Sequence, residues 1–576
     1  MKPSGTTTFV LALFLSCAPI PAPFAQSQAA NPAAPVSRKA SPAARPLAGD
    51  AAAIDAIFRT AVKPTDPGLA VVVVRKGQVL HRAAYGLANI ELGVAARPEH
   101  VFRIGSVTKQ FTAAVIMMLA DEGHLAVSDP ITKFLPDYPT QGRTITVEHL
   151  LTHTSGIQSY TDMPKWRSMF RQDLSLTELI DVFKNEPMQF APGTRWRYNN
   201  SGYILLGAII EKVTGKKYAD VVRERIFQPL AMADTRYDDT EAVIPRRAAG
   251  YAQTRTGLIN AQYLSMTQPY AAGALMSTVD DLAKWEAGLA AGKVVKASAL
   301  EKMFANYPLA SGSPSSYGYG WQIGAYEGRP VQEHGGGING FRAHVLRIPS
   351  DGVYVAVLSN VAAPEPDPQT LARKAAAIAI GKPLTNPPVV ALTPEQLDAY
   401  VGRYVAVGGT RPTVTREGTR LFVQVAGGGR TEFFPAGGDK FFAKDRFVRL
   451  RFERDGAGKV TRLTVSDWGD QPVATRDDTP AKPAPVQVAV DPALYDAYVG
   501  EYELAPGFIL TVTREGNSLM TQATGQGKVE VFPSAPTEFF LKVTDAQLSF
   551  VKDASGKVTG LVLHQGGRDV PAKKIK

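Results

Sequence analysis

The chain of 576 residues reads as an α+β unit followed by a duplicated, mostly β region, and three observations predict this. Apolar, strand-like stretches stand early, in "GLAVVVVRKGQVLHRAAYG" from Gly68, and late, in "YGYGWQIG", "FRAHVLRIP" and "GVYVAVLSN". They enclose long helical patterns, which implies a sheet assembled from distant parts of the chain. After "GKPLTNPPVVALTP" the pattern changes to short strands and glycine turns, and "DAYVGRY" at Asp398 returns as "DAYVGEY" at Asp496. "TVTREG" at Thr413 and "GKVT" at Gly458 also return, each at the same offset of 98 residues, so the region is an internal duplication. The length itself exceeds what one hydrophobic core fills.

In chain order, residues 1–25 carry Lys2, a short apolar run from Phe9 to Leu15 and then small residues, the pattern of a secretory signal too short to span a bilayer. Cleavage after Ala25 is the expectation; lipidation at Cys17, the only cysteine, is the alternative. Cleavage at Ala25 leaves no thiol, and so no disulfide, cysteine nucleophile or thiolate metal site. Residues 26–49, "SQAANPAAPVSRKASPAARPLAG" among them, are rich in Ala, Pro and Ser and read as a disordered tether. The first unit is expected over 50–383. It opens with the helical pattern "DAAAIDAIFRTAVK" and two strands turning at Lys76-Gly77. The two β repeats are expected over 393–480 and 490–576, with the proline-rich "LTNPPVVALTP" and "TPAKPAPVQ" as linkers. Phe441-Phe442 and Phe539-Phe540 recur at the same offset and read as core.

Apolar residues make up 45% and charged residues 20%, an ordinary globular composition. The net charge of +10 comes from basic residues scattered along the chain rather than gathered in a stripe, which argues against a nucleic-acid partner. No segment after the leader has the roughly 20 unbroken apolar residues of a membrane span.

The stretch "FRIGSVTKQFTAAVIMMLA", from Phe102, is apolar enough for a buried helix yet carries Lys109 three residues after Ser106. At 100° per residue the two side chains meet across one turn. Around the same helix stand Ala113, Ile116 and Ala120 on one side and Val107, Phe111, Ala114 and Met118 on the other, the pattern of a buried helix. Desolvation lowers a lysine pKa, and a hydroxyl beside a neutral amine is an activatable nucleophile. Two further stretches carry suitable chemistry. "PGTRWRYNNSGYILLGAIIEKVTG" sets Tyr198 and Asn200 before an apolar helix beginning near Ser201. "QEHGGGINGFRAH" sets His334 before a glycine run at a strand edge. Tyrosine can shuttle a proton, asparagine can hold an amide, and glycines let a backbone N–H approach a developing oxyanion.

Ser106-Val107-Thr108-Lys109, Tyr198-Asn199-Asn200 and His334-Gly335-Gly336, in that order, resemble the S-x-x-K, Y-x-N and H-x-G motifs of the class C-like branch of the serine β-lactamase and penicillin-binding-protein superfamily. "PGLAVVVVRKGQ", "VEHLLTHTSGI" and "AAGALMSTVDDLAKW" resemble it too, and the likeness runs from about Asp50 to Gly381. It implies a β-lactamase/transpeptidase-like domain, with an antiparallel sheet flanked by helices and a helical subdomain. The repeats resemble the barrel-like β domains appended to some members. The resemblance further implies that Ser106 is acylated, that Lys109 and Tyr198 relay its proton, and that Asn200 binds a substrate amide. His334 and Gly336 would line the pocket, and the backbone N–H groups of Ser106 and Gly337 would form the oxyanion hole. No metal and no cofactor is implied.

"HGG" stands where the β-lactamases of the family usually have K-T-G, so a fixed charge for a substrate carboxylate and a hydroxyl are absent from that motif. The expectation is therefore an exported serine hydrolase, periplasmic or secreted, acting on D-amino-acid-containing peptides in the manner of DD-carboxypeptidases or D-aminopeptidases. Esters or β-lactams are alternative substrates, and the β domains are a route to oligomers. Two other classes compete. A zinc hydrolase would use His149 and His153, four apart in "EHLLTH", although no carboxylate follows the first of them. A non-catalytic penicillin-binding sensor would keep the fold without its chemistry, yet here all the reacting groups are present.

Overall fold

The computed structural model describes residues 47–576 except 255–256, 407–410, 426–429, 469–472, 478–486, 506–507, 525–526, 543–545 and 566–567. The expected signal over 1–25, with Cys17, and most of the expected tether lie outside the described residues. Helix α1, Leu47–Ala61, starts ahead of the expected boundary at residue 50. Asp50 in its first turn suits the positive end of the helix and pairs, buried, with Arg75.

Strands β1 (Leu69–Arg75) and β2 (Gln78–Tyr85) form the expected hairpin. Lys76 and Gly77 both have positive φ, 51° and 77°, the twist that tight hairpins favour. The chain then builds its helical part, including α2 (Thr108–Asp121) and α3 (Asn200–Thr214). It returns with β3 (Gln322–Tyr326), β4 (Arg329–Ile338), β5 (Phe341–Ile348) and β6 (Val353–Ser359), followed by α4 (Pro368–Ala379). The sheet is antiparallel, in the order β3-β4-β5-β6-β1-β2, and the β1–β6 register runs from Leu69↔Ser359 to Arg75↔Val353.

Side chains alternate across this sheet. Leu69, Val71, Val73, Val353, Val355 and Val357 face Ile54 and Phe58 of α1 and Leu371, Ala375 and Ala376 of α4. Ala70, Val72, Ala356 and Leu358 face the helical part, with Val107, Phe111 and Ile204. Covering both faces explains why β1 and β6 read as unbroken apolar runs.

Two local expectations need correction. In "YGYGWQIG" the strand starts only at Gln322; Tyr317, Tyr319 and Trp321 are buried in irregular chain. The glycine run lies inside a strand rather than beyond its edge, because β5 pairs with it from Ile338↔Phe341 through Gly335↔His344. On the other side β3 pairs β4 only from Arg329 to Glu333, so His334–Ile338 has a strand partner on one side alone.

Each repeat is a closed eight-stranded barrel, from Gly402–Ala406 to Val473–Asp477 and from Gly500–Ala505 to Arg568–Lys574. Both use the same buried bond 98 residues apart: Tyr404 Oη donates to Tyr400 O, and Tyr502 Oη to Tyr498 O, each at 2.8 Å. Phe441 and Phe452 fill the first interior, Phe539 and Phe550 the second.

The first barrel also completes a core outside itself. Trp468, 4% exposed, belongs to the apolar cluster under α4, with Phe447 packed beside it. Arg373 of α4 lies over the Trp468 ring and donates to Asp467 at 3.2 Å. The first unit therefore does not close its hydrophobic surface at residue 383. Trp468 lies in a turn after the strand Val460–Ser466 and Phe447 in the loop before Arg449–Arg454, where strand alternation carries no signal.

Candidate active site

Ser106 sits in a tight helical turn, Gly105–Val107, directly before α2, rather than on α2 itself as the spacing implied. Gly105 has φ 51°, and a Cβ there would lie 2.9 Å from Gly337 N, so the turn presses against β4. The helix start brings a positive dipole end to the Ser106 region.

Lys109 is 0% exposed. Its Nζ reaches Ser106 Oγ at 3.1 Å, Asn200 Oδ1 at 2.8 Å and Ala272 O at 2.8 Å, and it lies over the rings of Tyr198 and Tyr203. All these partners are uncharged, and burial drives the amine's pKa well below the ordinary lysine value. A neutral amine has two N–H donors and one lone pair. The amide and backbone carbonyls can only accept, so the lone pair falls to Ser106, the one contact with a proton to give.

Burial pushes the Tyr198 phenol pKa up, opposed in part by its interaction with Ser106. The serine thus stands between an amine driven toward its neutral form and a phenol held protonated. Groups whose pKa values are driven apart in this way are suited to opposite proton roles.

Asn200 is the first residue of α3, whose N-cap, Asn199, accepts from Gly202 N at 2.9 Å. The Asn200 carbonyl is engaged by Lys109 and its amide nitrogen donates to Thr161 Oγ1 at 2.9 Å. Its side chain is thus tied to the lysine, and it also lines the cleft. His334 faces Tyr198 with ring centroids 6.1 Å apart, but it is 2% exposed. Its Nδ1 lies 2.7 Å from Gly335 O and its Nε2 2.8 Å from Tyr317 Oη. The carbonyl requires N–H on Nδ1, leaving Nε2 to accept from the tyrosine. Burial, then the Lys109 charge, lowers the His334 pKa to about 3. A Cβ on Gly336 would lie 1.9 Å from Ile104 O, so this position lets β4 approach the turn that holds Ser106.

The metal-site reading of His149 and His153 does not fit the geometry. His149 lies on the short helix Val147–Leu151, where its Nδ1 accepts from Thr146 N at 3.2 Å in a capping box. His153 lies beyond that helix with φ 60°, and its Nδ1 accepts from Asn199 N at 3.1 Å. The two rings serve different backbone segments instead of sharing a helical face.

A cleft of about 290 Å³ opens over Ser106, lined by Asn200, Trp166, Leu264, Gly337 and Arg342 among others. Tyr317, Ala272 and Arg342 escaped the sequence reading. Ala272 acts through its backbone, which no side-chain pattern reveals; Tyr317 lay in a stretch read as strand; Arg342 stands five residues past Gly337, across the β4–β5 turn.

The Beta-lactamase family model matches residues 54–380, and a domain of unknown function (DUF3471) matches twice, over 386–477 and 484–573. Penicillin-binding protein 4* of Bacillus subtilis (strain 168) is 29% identical over 409 residues, covering 66% of this chain and 89% of that protein. The D-aminopeptidase of Gluconobacter oxydans (strain 621H) is 28% identical over 300 residues, covering 51% of this chain and 56% of that protein. Among solved structures, the octameric penicillin-binding protein homologue from Pyrococcus abyssi has a TM-score of 0.52 and 26% identity, covering 74% of this chain and all of that one.

Proposed function

Because the chain belongs to the Beta-lactamase family, we propose that this serine hydrolase works through an acyl-enzyme on Ser106, with D-amino-acid-containing peptides as substrates and an exported, periplasmic or secreted setting. The observation that carries the mechanism is the Lys109 amine, buried without a carboxylate partner among the described residues and in contact with Ser106 Oγ. In the first step Ser106 Oγ bonds to the substrate carbonyl carbon while its proton passes to Lys109 Nζ. The carbonyl electrons move onto oxygen, and the N–H groups of Ser106 and Gly337 receive that oxyanion. Collapse breaks the C–N bond, and the departing amine takes a proton through the Tyr198 hydroxyl. Water then attacks the ester, gives its proton to the same relay, and the acid leaves as Ser106 is restored.

The D-peptide preference is supported by the D-aminopeptidase relative and by the absence of K-T-G from the third motif. An octameric relative supports assembly into an oligomer, for which the β barrels offer surface. The test is hydrolysis by the purified chain of D-Ala-D-Ala peptides, D-amino-acid amides, p-nitrophenyl esters and nitrocefin. Highest kcat/KM on a D-peptide or D-amide, lost in Ser106→Ala, is the expected result. Turnover by Ser106→Ala at more than about a tenth of the wild-type rate on every substrate would refute the acyl-enzyme, since losing a nucleophile costs orders of magnitude.

A further inference from the structure

The cleft contains a cation that the three motifs do not include. Arg342 on β5 is the cross-strand partner of Gly337, the residue assigned to the oxyanion hole. Its guanidinium folds back over that glycine so closely that a Cβ on Gly337 would lie 1.8 Å from Nη1. Nε donates to Ala362 O at 2.6 Å, which anchors the plane of the group. Both Arg342 and Ala362 line the same cleft as Ser106. Among the described residues no carboxylate lies within ion-pair distance of Arg342. Asp367, whose charge acts on it, caps α4 through Thr370 N at 2.8 Å.

A guanidinium fixed at one nitrogen presents its remaining N–H groups in a planar fork that matches a carboxylate. Holding such a group half-buried without a counter-ion is unfavourable, and a bound anion removes that penalty. Its position also sets the reach. Because the guanidinium covers the residue that would bind the scissile carbonyl oxygen, a carboxylate paired with it lies about one extended residue, roughly 3.3 Å of rise, from the bond being cut. In a peptide substrate the carboxylate at that distance is the α-carboxylate of the terminal residue. We propose that Arg342 is a specificity-determining residue that binds the C-terminal carboxylate of a peptide, supplying from the neighbouring strand the charge that "HGG" lacks. This rests on the acyl-enzyme reading of Ser106 and narrows it to removal of the last residue of a peptide, in preference to hydrolysis of amides.

The experiment uses the full chain and two matched ligands, acetyl-D-Ala-D-Ala and its C-terminal amide. Each is tested for slowing fluorophosphonate labelling of Ser106, and each for turnover. In the wild type the free carboxylate should protect at about ten- to a hundredfold lower concentration than the amide, the range of a hydrogen-bonded charge pair. Arg342→Gln should bring that ratio to about one, and Arg342→Lys should leave it intermediate. Reading the ratio within each variant cancels any general loss of fold or reactivity. Equal protection by the two ligands in the wild type overturns the proposal, as does a ratio that survives Arg342→Gln. A wild type unreactive at Ser106 overturns the acyl-enzyme reading instead, and this assignment with it.

Discussion

Trp468 of the first barrel stacks on Tyr326 of the catalytic sheet, with ring centroids 3.8 Å apart and planes within 8°. Phe447 meets both rings edge-on. The positions 98 residues on carry Asp545 and Gly566, so the second repeat lacks this aromatic pair. One copy of the duplication is thus equipped to dock and the other is not. Through Arg373, bonded to both Asp467 and Glu333, the docked barrel also touches the residue that precedes His334.

The first prediction follows from that contact. Trp468→Ala should destabilise the catalytic unit by about 3–5 kcal/mol, the range for removing a large buried aromatic side chain. Truncation after Leu392, which the proline-rich linker would invite, should give a chain that melts lower and aggregates more readily than the full protein. Calorimetry of the three forms checks this; a truncated chain melting at the full-length temperature contradicts it.

Gly336→Ala should slow acylation by about a hundredfold, because the added methyl meets Ile104 O and shifts the turn that holds Ser106. The rate constant of fluorophosphonate labelling reads this directly, and a rate within threefold of wild type contradicts it.

The buried lysine also makes stability depend on pH in a defined direction. Below its lowered folded pKa both states hold the proton, and above about 10.4 both have lost it. In between, the unfolded chain binds a proton that the folded chain does not, so the free energy of unfolding rises with pH by about 1.4 kcal/mol per unit. The stability of wild type relative to Lys109→Met should therefore increase from neutrality toward pH 10. A difference independent of pH over that range would show that Lys109 stays charged when folded.

The imidazoles predict where the rate does not change. His334 is lowered to about 3 by burial and the Lys109 charge, and burial with the same charge lowers His153. Neither ring titrates near 6.5, so kcat/KM should show no imidazole inflection between pH 6 and 8, and His334→Asn should leave the shape of the profile unchanged. An inflection near 6.5 that disappears in this variant contradicts the assignment.

Much of this site was legible because its chemistry is written in side chains at short spacing. Ser106 and Lys109 meet across one turn whether that turn is α-helical or tighter, so the misplaced helix start did not matter. Tyr198 and Asn200 stood out because an apolar helix follows them. The sheet was legible in β1 and β6, whose apolar runs are long, and in β2 and β5, but not in β4, where glycines hide a strand that pairing alone defines. What the sequence could not reveal depends on approach between distant segments: Ala272 O on Lys109, Tyr317 on His334, and Arg342 over Gly337. The docking of Trp468 was hidden for the same reason, since an aromatic residue in a turn between barrel strands reads as any other.

The central claim, that the buried Lys109 amine activates Ser106, is tested most directly by peptide-mapped mass spectrometry of the full chain after timed exposure to a fluorophosphonate at neutral pH. A single adduct on Ser106 in the wild type, formed at least a hundredfold more slowly in Lys109→Met while that variant remains folded by circular dichroism, is the predicted result. An adduct on another residue, or equal labelling rates in the two proteins, would contradict the account.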